Sequence, residues 1–305
     1  MKNYRYVLIL ALLFVFIPSV KLMQAFESGA EFLKIGTDAK AMAMGSAYTA
    51  AATGADALHY NPAGLAGTKS YELAFSHANW LLGSQHDFMG LAFPLKLGGR
   101  QLSGGFGLTR LSNAAIEGRS ADRSTGGSFS SYDQAVSLAL AARSGKYSFG
   151  LGGKYIESSI AGVKATAFAV DLGVNRQFNS LPISAGFAVQ NLGTPMKYIN
   201  QSDPLPVSVA AGLMLGIIPG FNVTVDARRL LREKSNTVSV GSDYSVMPGF
   251  ALRTGYMLGG VTPASGLSGF TGGVGLNMFQ TQVDYSITPF GALGNAQKIS
   301  LKKKF

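Results

Sequence analysis

From residue 70 to the C-terminus, apolar and polar residues alternate with a period of two, which is typical of β-strands with two different faces. In the segment KYSFGLGGKYI (146–156), Tyr147, Phe149 and Leu151 share one face, and small or polar residues occupy the other. The segment TQVDYSI (281–287) repeats the pattern. We interpret the apolar face as lipid-facing and the polar face as the inner wall of a barrel.

Fourteen segments of this kind, mostly 8–11 residues long, follow one another along the chain. A tilted strand needs about 9–11 residues to cross a bilayer, and bacterial outer-membrane barrels have even numbers of antiparallel strands. The sequence therefore predicts an all-β transmembrane barrel of about 14 antiparallel strands. The predicted strands are 71–78, 86–95, 101–110, 132–142, 146–156, 165–175, 182–191, 206–215, 221–229, 237–244, 249–257, 269–277, 281–288 and 297–305.

The connections between these strands alternate between long and short. The long ones are 79–85, 111–131, 192–206 and 258–268, and the short ones are 96–100, 143–145, 217–220 and 278–280. Outer-membrane barrels have long extracellular loops and short periplasmic turns, so this parity indicates that both termini of the barrel domain face the periplasm. The alternative, a soluble β-sandwich or propeller, would need a polar outer face and has no reason to alternate its connections.

The N-terminus predicts an export signal. Lys2 and Arg5 precede an apolar run of 15 residues, 6–20. A membrane-spanning helix needs about 20 such residues, whereas the core of a signal peptide needs about 7–15. We predict a signal peptide over 1–25 and localisation in the bacterial outer membrane; an uncleaved anchor is the alternative.

Residues 26–69 lack the period of two and are rich in Ala and Gly, which predicts short, closely packed helices. We interpret this segment as a small helical hatch, or plug, inside the lumen of a barrel that spans 70–305. A helical cap in the periplasm is the alternative. The hatch ends near the motif Asn61-Pro62-Ala63-Gly64. Pro62 disfavours helix at Asn61, Asn61 is suited to an Asx turn, and Gly64 is expected to permit a sharp reversal.

This N-terminal segment resembles the PorV/PorQ family, whose members are relatives of the FadL-type outer-membrane transporters. The resemblance is carried by GAEFLKIG (29–36), MGSA (44–47), Asp56 and NPAGL (61–65), and by ELAFSHANWL (72–81) and VDYSITPFGALGNAQKISL (283–301). It extends over essentially the whole chain after the predicted signal peptide. The motifs are specific in combination, although NPAG alone is a weak signal.

The resemblance implies a fourteen-stranded barrel with an N-terminal hatch and two alternative functions. In the PorV/PorQ case, the expected role is accessory or cargo-receiving, in type IX-like protein export, with secretion subunits or exported proteins as partners. In the FadL-like case, hydrophobic small molecules pass through the barrel. Of the two, the motifs favour the export role, and membrane lipid is an expected partner in both cases.

The amino-acid composition limits the kinds of site and partner that this chain can have. Only 14% of the residues are charged, against about 25% in soluble domains, and 39 are Gly. The chain has no Cys, which excludes disulfides, thiol nucleophiles and Cys-based metal sites. Without the predicted signal peptide, 23 basic and 16 acidic residues remain. The basic residues are scattered, so we expect no nucleic-acid partner.

No catalytic, cofactor-binding or metal-binding residues are predicted. The histidines are His59, His77 and His86, and Asp87 adjoins the last of these. His77 and His86 flank the first outer connection, so a metal or acid–base site is one interpretation of them. Interface and packing roles are the simpler interpretation, and we expect a protein that is not an enzyme.

Charged side chains on the polar face are the candidate luminal residues. They are Asp171, Asp226, Arg228, Asp243, Arg253 and Asp284, with Glu72, Asp133, Lys154 and Lys298 in the same register. Buried charges must be paired or hydrated, so these residues line either a polar path or a sealed, ion-paired interior. In the first outer connection, Trp80, Leu81 and Leu82 are candidates for contact with a partner or solute. An aromatic girdle at the membrane interface is the alternative.

Overall fold

The structure is a computed structural model that describes residues 28–113, 116–119, 125–178, 181–259 and 269–305. The predicted signal peptide (1–25) lies outside the described residues, as does part of two outer connections. Among the residues that are described, no helix is both long enough and apolar enough to cross a membrane.

Fourteen antiparallel strands form a closed barrel, which confirms the predicted fold class. Each strand pairs with its neighbour in the sequence of barrel strands, and the first and last strands close the ring with Glu72 opposite Lys304 and Asn79 opposite Gln297. The barrel strands are β1 (Glu72–Asn79), β2 (Gln85–Leu97), β3 (Arg100–Ser112), β6 (Ser131–Ser144), β7 (Tyr147–Ile160), β8 (Val163–Phe178), β9 (Ile183–Gly193), β12 (Ser208–Ile218), β13 (Phe221–Leu230), β14 (Ser235–Met247), β15 (Phe250–Gly259), β16 (Phe270–Met278), β17 (Thr281–Pro289) and β18 (Asn295–Lys304).

Two small hairpins lie in the connections between barrel strands. One consists of β4 (Ile116–Arg119) and β5 (Thr125–Phe129), and the other of β10 (Met196–Tyr198) and β11 (Gln201–Asp203). Short 3-10 helices, Leu81–Gly83 and Gly291–Leu293, lie in the first and last connections.

The period of two in the sequence separates a lipid-facing surface from a buried interior. On β7, the outward-facing Leu151 is 56% exposed, whereas the inward-facing Ile156 is fully buried. The outward belt includes Phe75, Leu138, Leu140, Phe149, Leu151, Phe168, Leu172, Phe187, Leu252 and Leu301. Large exposed apolar side chains in a continuous band are unfavourable in water and are expected where a barrel meets lipid hydrocarbon.

The connections define the two ends of the barrel. The end with the tight turns, such as the one between β2 and β3, is the periplasmic end, and the other is the outer end. The connection between β7 and β8 departs from the predicted parity. The outer connection between β7 and β8 consists only of Ala161 and Gly162, whose positive φ values of 49° and 85° form a tight hairpin turn.

Residues 28–68, which we call the hatch, lie inside the barrel. The hatch contains α1 (Ala39–Ala43), α2 (Ala57–Tyr60) and 3-10 helices at Glu31–Lys34, Gly54–Asp56 and Pro62–Gly67. Helix α1 begins at Asp38, whose carboxylate accepts a hydrogen bond from the Ala41 amide at 3.2 Å.

The hatch starts at the outer end and finishes at the periplasmic end. The Gly29 amide donates to the carbonyl of Pro204 in an outer connection at 2.9 Å. At the other end, the Ser103 hydroxyl, on the periplasmic half of β3, donates to the Thr68 carbonyl at 3.4 Å. The segment therefore runs along the lumen before the chain enters β1.

Candidate functional site

The NPAG motif lies deep in the barrel and is fixed on both sides. Asn61 has an extended backbone (φ −165°), and its side-chain oxygen accepts from the Ala63 amide at 3.1 Å, which is the predicted Asx-type turn. Its amide nitrogen donates to the Thr49 carbonyl and to the side-chain oxygen of Asn175 on β8, both at 2.9 Å. Asn61 therefore joins two parts of the hatch to the wall.

The prediction that Gly64 permits a sharp reversal was wrong. Its φ is not positive, and it lies within the 3-10 helix Pro62–Gly67 rather than at a reversal. A Cβ at this position would lie 2.2 Å from the carbonyl oxygen of Ala52. Gly64 is required because the hatch packs against itself here, and the motif is followed by one more helical turn.

Glycines of the wall allow the hatch backbone to approach closely. A Cβ at Gly150 on β7 would lie 2.2 Å from the Pro62 carbonyl carbon, and one at Gly173 on β8 would lie 2.1 Å from the side-chain oxygen of Asn61. On the opposite wall, a Cβ at Gly255 would lie 2.2 Å from the Gly45 amide. The high Gly content thus follows from a hatch that fits tightly within the lumen.

An ionic latch joins the hatch to the last strand. Lys302 on β18 is 3.1 Å from the Asp38 carboxylate and also forms an ion pair with Asp56. Burial opposes ionisation of Asp38, but the Lys302 ammonium outweighs it and holds the Asp38 pKa below its ordinary value. Burial, together with the negative charge of Asp38, raises the pKa of Asp56 to about 8. The Lys302 ammonium therefore contacts two carboxyl groups, of which Asp38 is ionised and Asp56 is readily protonated.

A second ionic chain runs from the hatch across three strands. Lys40 of α1 is 2.7 Å from Asp243 on β14. Arg253 on β15 bridges Asp243 at 2.8 Å and Asp284 on β17 at 2.6 Å. These predicted luminal charges are buried and paired with one another, and they include a hatch residue as a partner.

Asp171 and Asp226 also have polar partners inside the barrel. Asp171 is 2.7 Å from Lys154 and accepts from the Asn191 amide at 2.8 Å. Asp226 accepts from the Tyr48 and Thr49 amides of the hatch at 3.0 and 2.7 Å.

Arg228 has no carboxylate among its hydrogen-bond partners. It donates to Gln190 on β9 at 2.7 Å and to Ser208 at 3.2 Å. Gln190 in turn donates to the His59 carbonyl of the hatch. Of the two interpretations of the luminal charges, these contacts favour a sealed, hydrogen-bonded interior over a hydrated polar path.

The histidines do not converge on a common site. His77 faces outward and forms a 2.7 Å contact with Asp87, with each side chain about half exposed. His86 faces the lumen, where its Nδ1 is 2.9 Å from the Lys298 ammonium. No cluster of three potential metal-ligating side chains occurs in the described part of the chain.

The candidate residues of the first outer connection have different environments. Trp80 packs on Phe290 of the last outer connection, with ring centroids 5.3 Å apart. Leu81 is partly exposed and Leu82 is 87% exposed. Trp80 thus joins the first and last outer connections, and Leu82 projects from the outer end.

An apolar cluster fills the outer half of the lumen on one side. We call it the outer apolar cluster, and nothing in the sequence pattern singled it out. Phe32 and Leu33 of the hatch pack there with Met196 and Leu205 of the connection between β9 and β12. Its members are Ala30, Phe32, Leu33, Ala135, Ile156, Ala165, Ala167, Ala169, Met196 and Leu205. Phe32, Met196 and Leu205 are each at most 1% exposed, so the cluster is closely packed in this conformation.

The barrel wall beside the outer apolar cluster is irregular. The ladder between β8 and β9 ends at the pair Ala169–Gly193, so the outer end of β8 extends beyond β9. The register between these strands also shifts near Asp171, and Asn191 has a φ of 61°. The connection 194–207, with its small hairpin, covers this part of the wall. The outer six residues of β8, 163–168, extend beyond the end of the β8–β9 ladder, so the wall there is completed by the connection.

The closed 14-strand barrel, its apolar belt and the internal hatch define a bacterial outer-membrane barrel protein. The solved structures with the same fold are consistent with this class. The P. putida toluene transporter TodX has a TM-score of 0.67 at 14% identity, covering 88% of this chain and 99% of TodX. The Ralstonia pickettii toluene transporter TbuX has a TM-score of 0.63 at 14% identity, with 88% and 98% covered.

A Pseudomonas aeruginosa FadL homologue shares the fold with a TM-score of 0.55 at 11% identity, with 87% of this chain and 97% of that chain covered. At these identities the likeness shows the fold. No family model and no curated protein matches the chain. The PorV/PorQ resemblance therefore rests on the sequence motifs alone, and the type IX export role expected from it gains no support.

Proposed function

We propose that this protein passes small hydrophobic molecules across the outer membrane by way of the outer apolar cluster. The observation that carries the proposal is the position of this cluster. It lies in the outer half of the lumen, between the start of the hatch and the irregular wall beside β9. An apolar molecule gains by leaving water for such a site, and ligand sites are mostly apolar and concave.

In this proposal, the outer apolar cluster opens when the start of the hatch and the covering connection move apart. Gly29 is hydrogen-bonded to Pro204, and Ser28 donates to Glu233 of the next outer connection at 2.7 Å. Withdrawal of the connection from the hatch would therefore break the hydrogen bond between Gly29 and Pro204. Phe32 and Met196 would then separate, and the space between them would admit a solute.

The route out of the barrel is lateral in this proposal. The lower lumen is closed by the latch at Lys302 and by close contacts between the hatch and Gly150 and Gly173. The β8–β9 ladder beside the outer apolar cluster ends at Gly193, and the connection joins β8 next through Thr194, whose amide donates to the Phe168 carbonyl at 2.9 Å. A solute released there would enter the membrane rather than cross the hatch.

The neighbours in fold support this choice between the two functions expected from the sequence. Two of them are toluene transporters by name, and toluene is a small apolar molecule. The export role has only the motif resemblance behind it. We therefore propose transport, without chemical change of the solute, as the function.

Uptake of the hydrophobic dye N-phenyl-1-naphthylamine by Gram-negative cells that express the protein tests this proposal. Ala167→Phe fills the outer apolar cluster from β8 and should lower the uptake rate towards that of cells with an empty vector. The matched control is Thr166→Phe, which adds the same ring on the lipid-facing side of the same strand. Met196→Ala removes volume from the cluster and should raise the rate.

Heat-modifiable gel migration verifies that each variant forms a barrel. Uptake by the folded wild type at the empty-vector rate would contradict the proposal. So would an equal effect of the substitutions at Ala167 and Thr166.

A further inference from the structure

The periplasmic end of the barrel carries an uneven distribution of charge. Basic residues are concentrated on one side, at the periplasmic ends of β18, β1, β2, β3, β6, β7 and β8, which are consecutive in the barrel. We call this set the basic arc. Its members are Lys69, Lys96, Arg100, Arg143, Lys146, Arg176, Lys303 and Lys304, all exposed except the half-buried Lys303.

Acidic residues do not balance the basic arc. Within the described stretches 66–75, 94–103, 140–150, 174–178 and 300–305, the one acid is Glu72. Glu72 is 6% exposed and accepts from the Ala55 amide inside the barrel at 2.9 Å. Its carboxylate is 3.7 Å from the Lys304 ammonium, so it offsets one of the eight cations at the edge of the arc. The surface that the arc presents is therefore strongly positive.

The other half of the same end is uncharged. The turns 216–222, 244–251 and 276–283 contain no Asp, Glu, Lys or Arg. They expose large apolar side chains, which are Ile217, Ile218, Val246, Met247, Met278 and Phe279. Positive charge is thus not a general property of periplasmic turns in this chain but is confined to one arc of the rim.

The cations of the arc lie at the level of an aromatic girdle. The Arg176 guanidinium lies over the Tyr147 ring at 5.2 Å and over the Phe178 ring at 4.5 Å. Tyr71 stacks on Phe93 with ring centroids 6.5 Å apart. Aromatic residues beside basic ones mark the boundary between lipid hydrocarbon and headgroups. Arg176, in the centre of the arc, therefore lies at headgroup height rather than out in the periplasm.

We propose that the basic arc binds the headgroups of anionic phospholipids in the periplasmic leaflet. Clusters of Lys and Arg at a membrane surface attract anionic headgroups, and Arg binds phosphate through paired N–H donors. Arg143 lies on β6, Lys146 lies in the turn that follows, and Arg176 lies on β8, where it pairs with Tyr147. They form the centre of the arc. The uncharged turns on the opposite side of the rim should show no preference for anionic lipids.

Electron paramagnetic resonance of spin-labelled phosphatidylglycerol and phosphatidylcholine tests the proposal with the protein reconstituted in vesicles. We expect the wild type to retain the phosphatidylglycerol label about fivefold more strongly, with the preference falling as salt is added. The variant R100Q/R143Q/K146Q/R176Q should lose the preference.

The matched control removes four cations from the outer end, as K197Q/R229Q/R232Q/K234Q, and should keep the preference. Heat-modifiable migration verifies that both variants are folded barrels. Equal retention of the two lipids by the wild type would overturn the proposal, as would an unchanged preference in the basic-arc variant. Capture of an acidic periplasmic protein by a wild type that shows no lipid preference would assign the arc to a protein instead and would likewise overturn it.

Discussion

The ammonium of Lys302, on the strand that completes the barrel, is 3.1 Å from the Asp38 carboxylate of the hatch. Lys302 is 8% exposed and Asp38 is 1% exposed, so water screens this pair very little. The last strand of the barrel therefore also holds the segment that fills the lumen. Closure of the barrel and docking of the hatch are thereby coupled.

Removal of the Lys302 ammonium should release the hatch. Lys302→Met leaves the Asp38 carboxylate buried without its partner, which costs about 3–5 kcal/mol in comparable buried pairs. We expect much faster hydrogen exchange in peptides from 28–68, with little change in the barrel strands. Mass spectrometry of the exchanged peptides provides the measurement.

The neighbouring Lys303 offers a matched control for this experiment. Its ammonium donates to the Phe279 carbonyl at the rim and makes no contact with the hatch. Lys303→Met should change hatch exchange by less than the equivalent of about 0.5 kcal/mol. Equal exchange in the two variants would show that the latch does not hold the hatch.

A methyl group on the inner wall should displace the hatch without harming the barrel. In Gly173→Ala, the new Cβ would lie 2.1 Å from the Asn61 side-chain oxygen, and overpacking of this kind costs about 1–3 kcal/mol. Gly153→Ala is the control, because a Cβ there meets no atom within 4 Å. Planar-bilayer recordings should show ion conductance for the first variant and not for the second. A silent Gly173→Ala variant that is correctly folded would argue against tight docking.

The contribution of Asp56 to hatch docking should weaken as the pH rises from about 4 to 8. Burial lowers the pKa of His59, which is also in the hatch, so the contribution of His59 increases with pH below its ordinary pKa of 6.5. Burial and the Asp38 charge raise the pKa of Asp56 from its ordinary 3.8 to about 8 in the docked state. Between these values the docked hatch binds a proton that the undocked hatch lacks, so stability is present at low pH and is lost as the pH approaches 8. Lys302 and Glu72 also face this carboxyl group. The Lys302 ammonium lowers the pKa of Asp56, and the Glu72 carboxylate raises it.

Hydrogen exchange of the hatch, corrected for the intrinsic pH dependence of amide exchange, measures this effect. The difference between the wild type and Asp56→Asn isolates the Asp56 contribution, and Asp87→Asn on the outer surface should match the wild type. An Asp56→Asn profile with the same slope as the wild type between pH 5 and 8 would contradict the assignment to Asp56.

The sequence predicted the barrel well because each strand has one face in lipid and one in a packed lumen. All fourteen predicted strands correspond to observed barrel strands, with ends that differ by a few residues. The period of two also placed Lys298 on the inner face, and its continuation to Lys302 could have identified the latch. Asp38 could not be recognised as the partner, because the hatch has no such period.

The outer apolar cluster could not be predicted from local pattern. It combines Phe32 of the hatch, Met196 of a connection and Ala167 of a strand, which are far apart in the sequence. Only the path of the hatch along the lumen brings them together. The same reason explains Gly64, whose role depends on contact with Ala52 and not on its own φ.

A disulfide between the hatch and the covering connection tests the transport account most directly. A Cβ at Gly29 would lie 3.6 Å from the Cβ of Met196, within the range of about 3.5–4.5 Å for disulfides. The chain has no Cys, so Gly29→Cys with Met196→Cys introduces the only thiols. Ala139→Cys with Gly152→Cys, also 3.6 Å apart, cross-links two wall strands as the control.

Uptake of N-phenyl-1-naphthylamine under oxidising and reducing conditions gives the decisive comparison. The account predicts that the oxidised Gly29–Met196 variant takes up dye at the empty-vector rate and recovers when it is reduced. The oxidised control should transport at the wild-type rate. Wild-type uptake by the fully cross-linked Gly29–Met196 variant would contradict the claim that solutes pass by displacement of this end of the hatch.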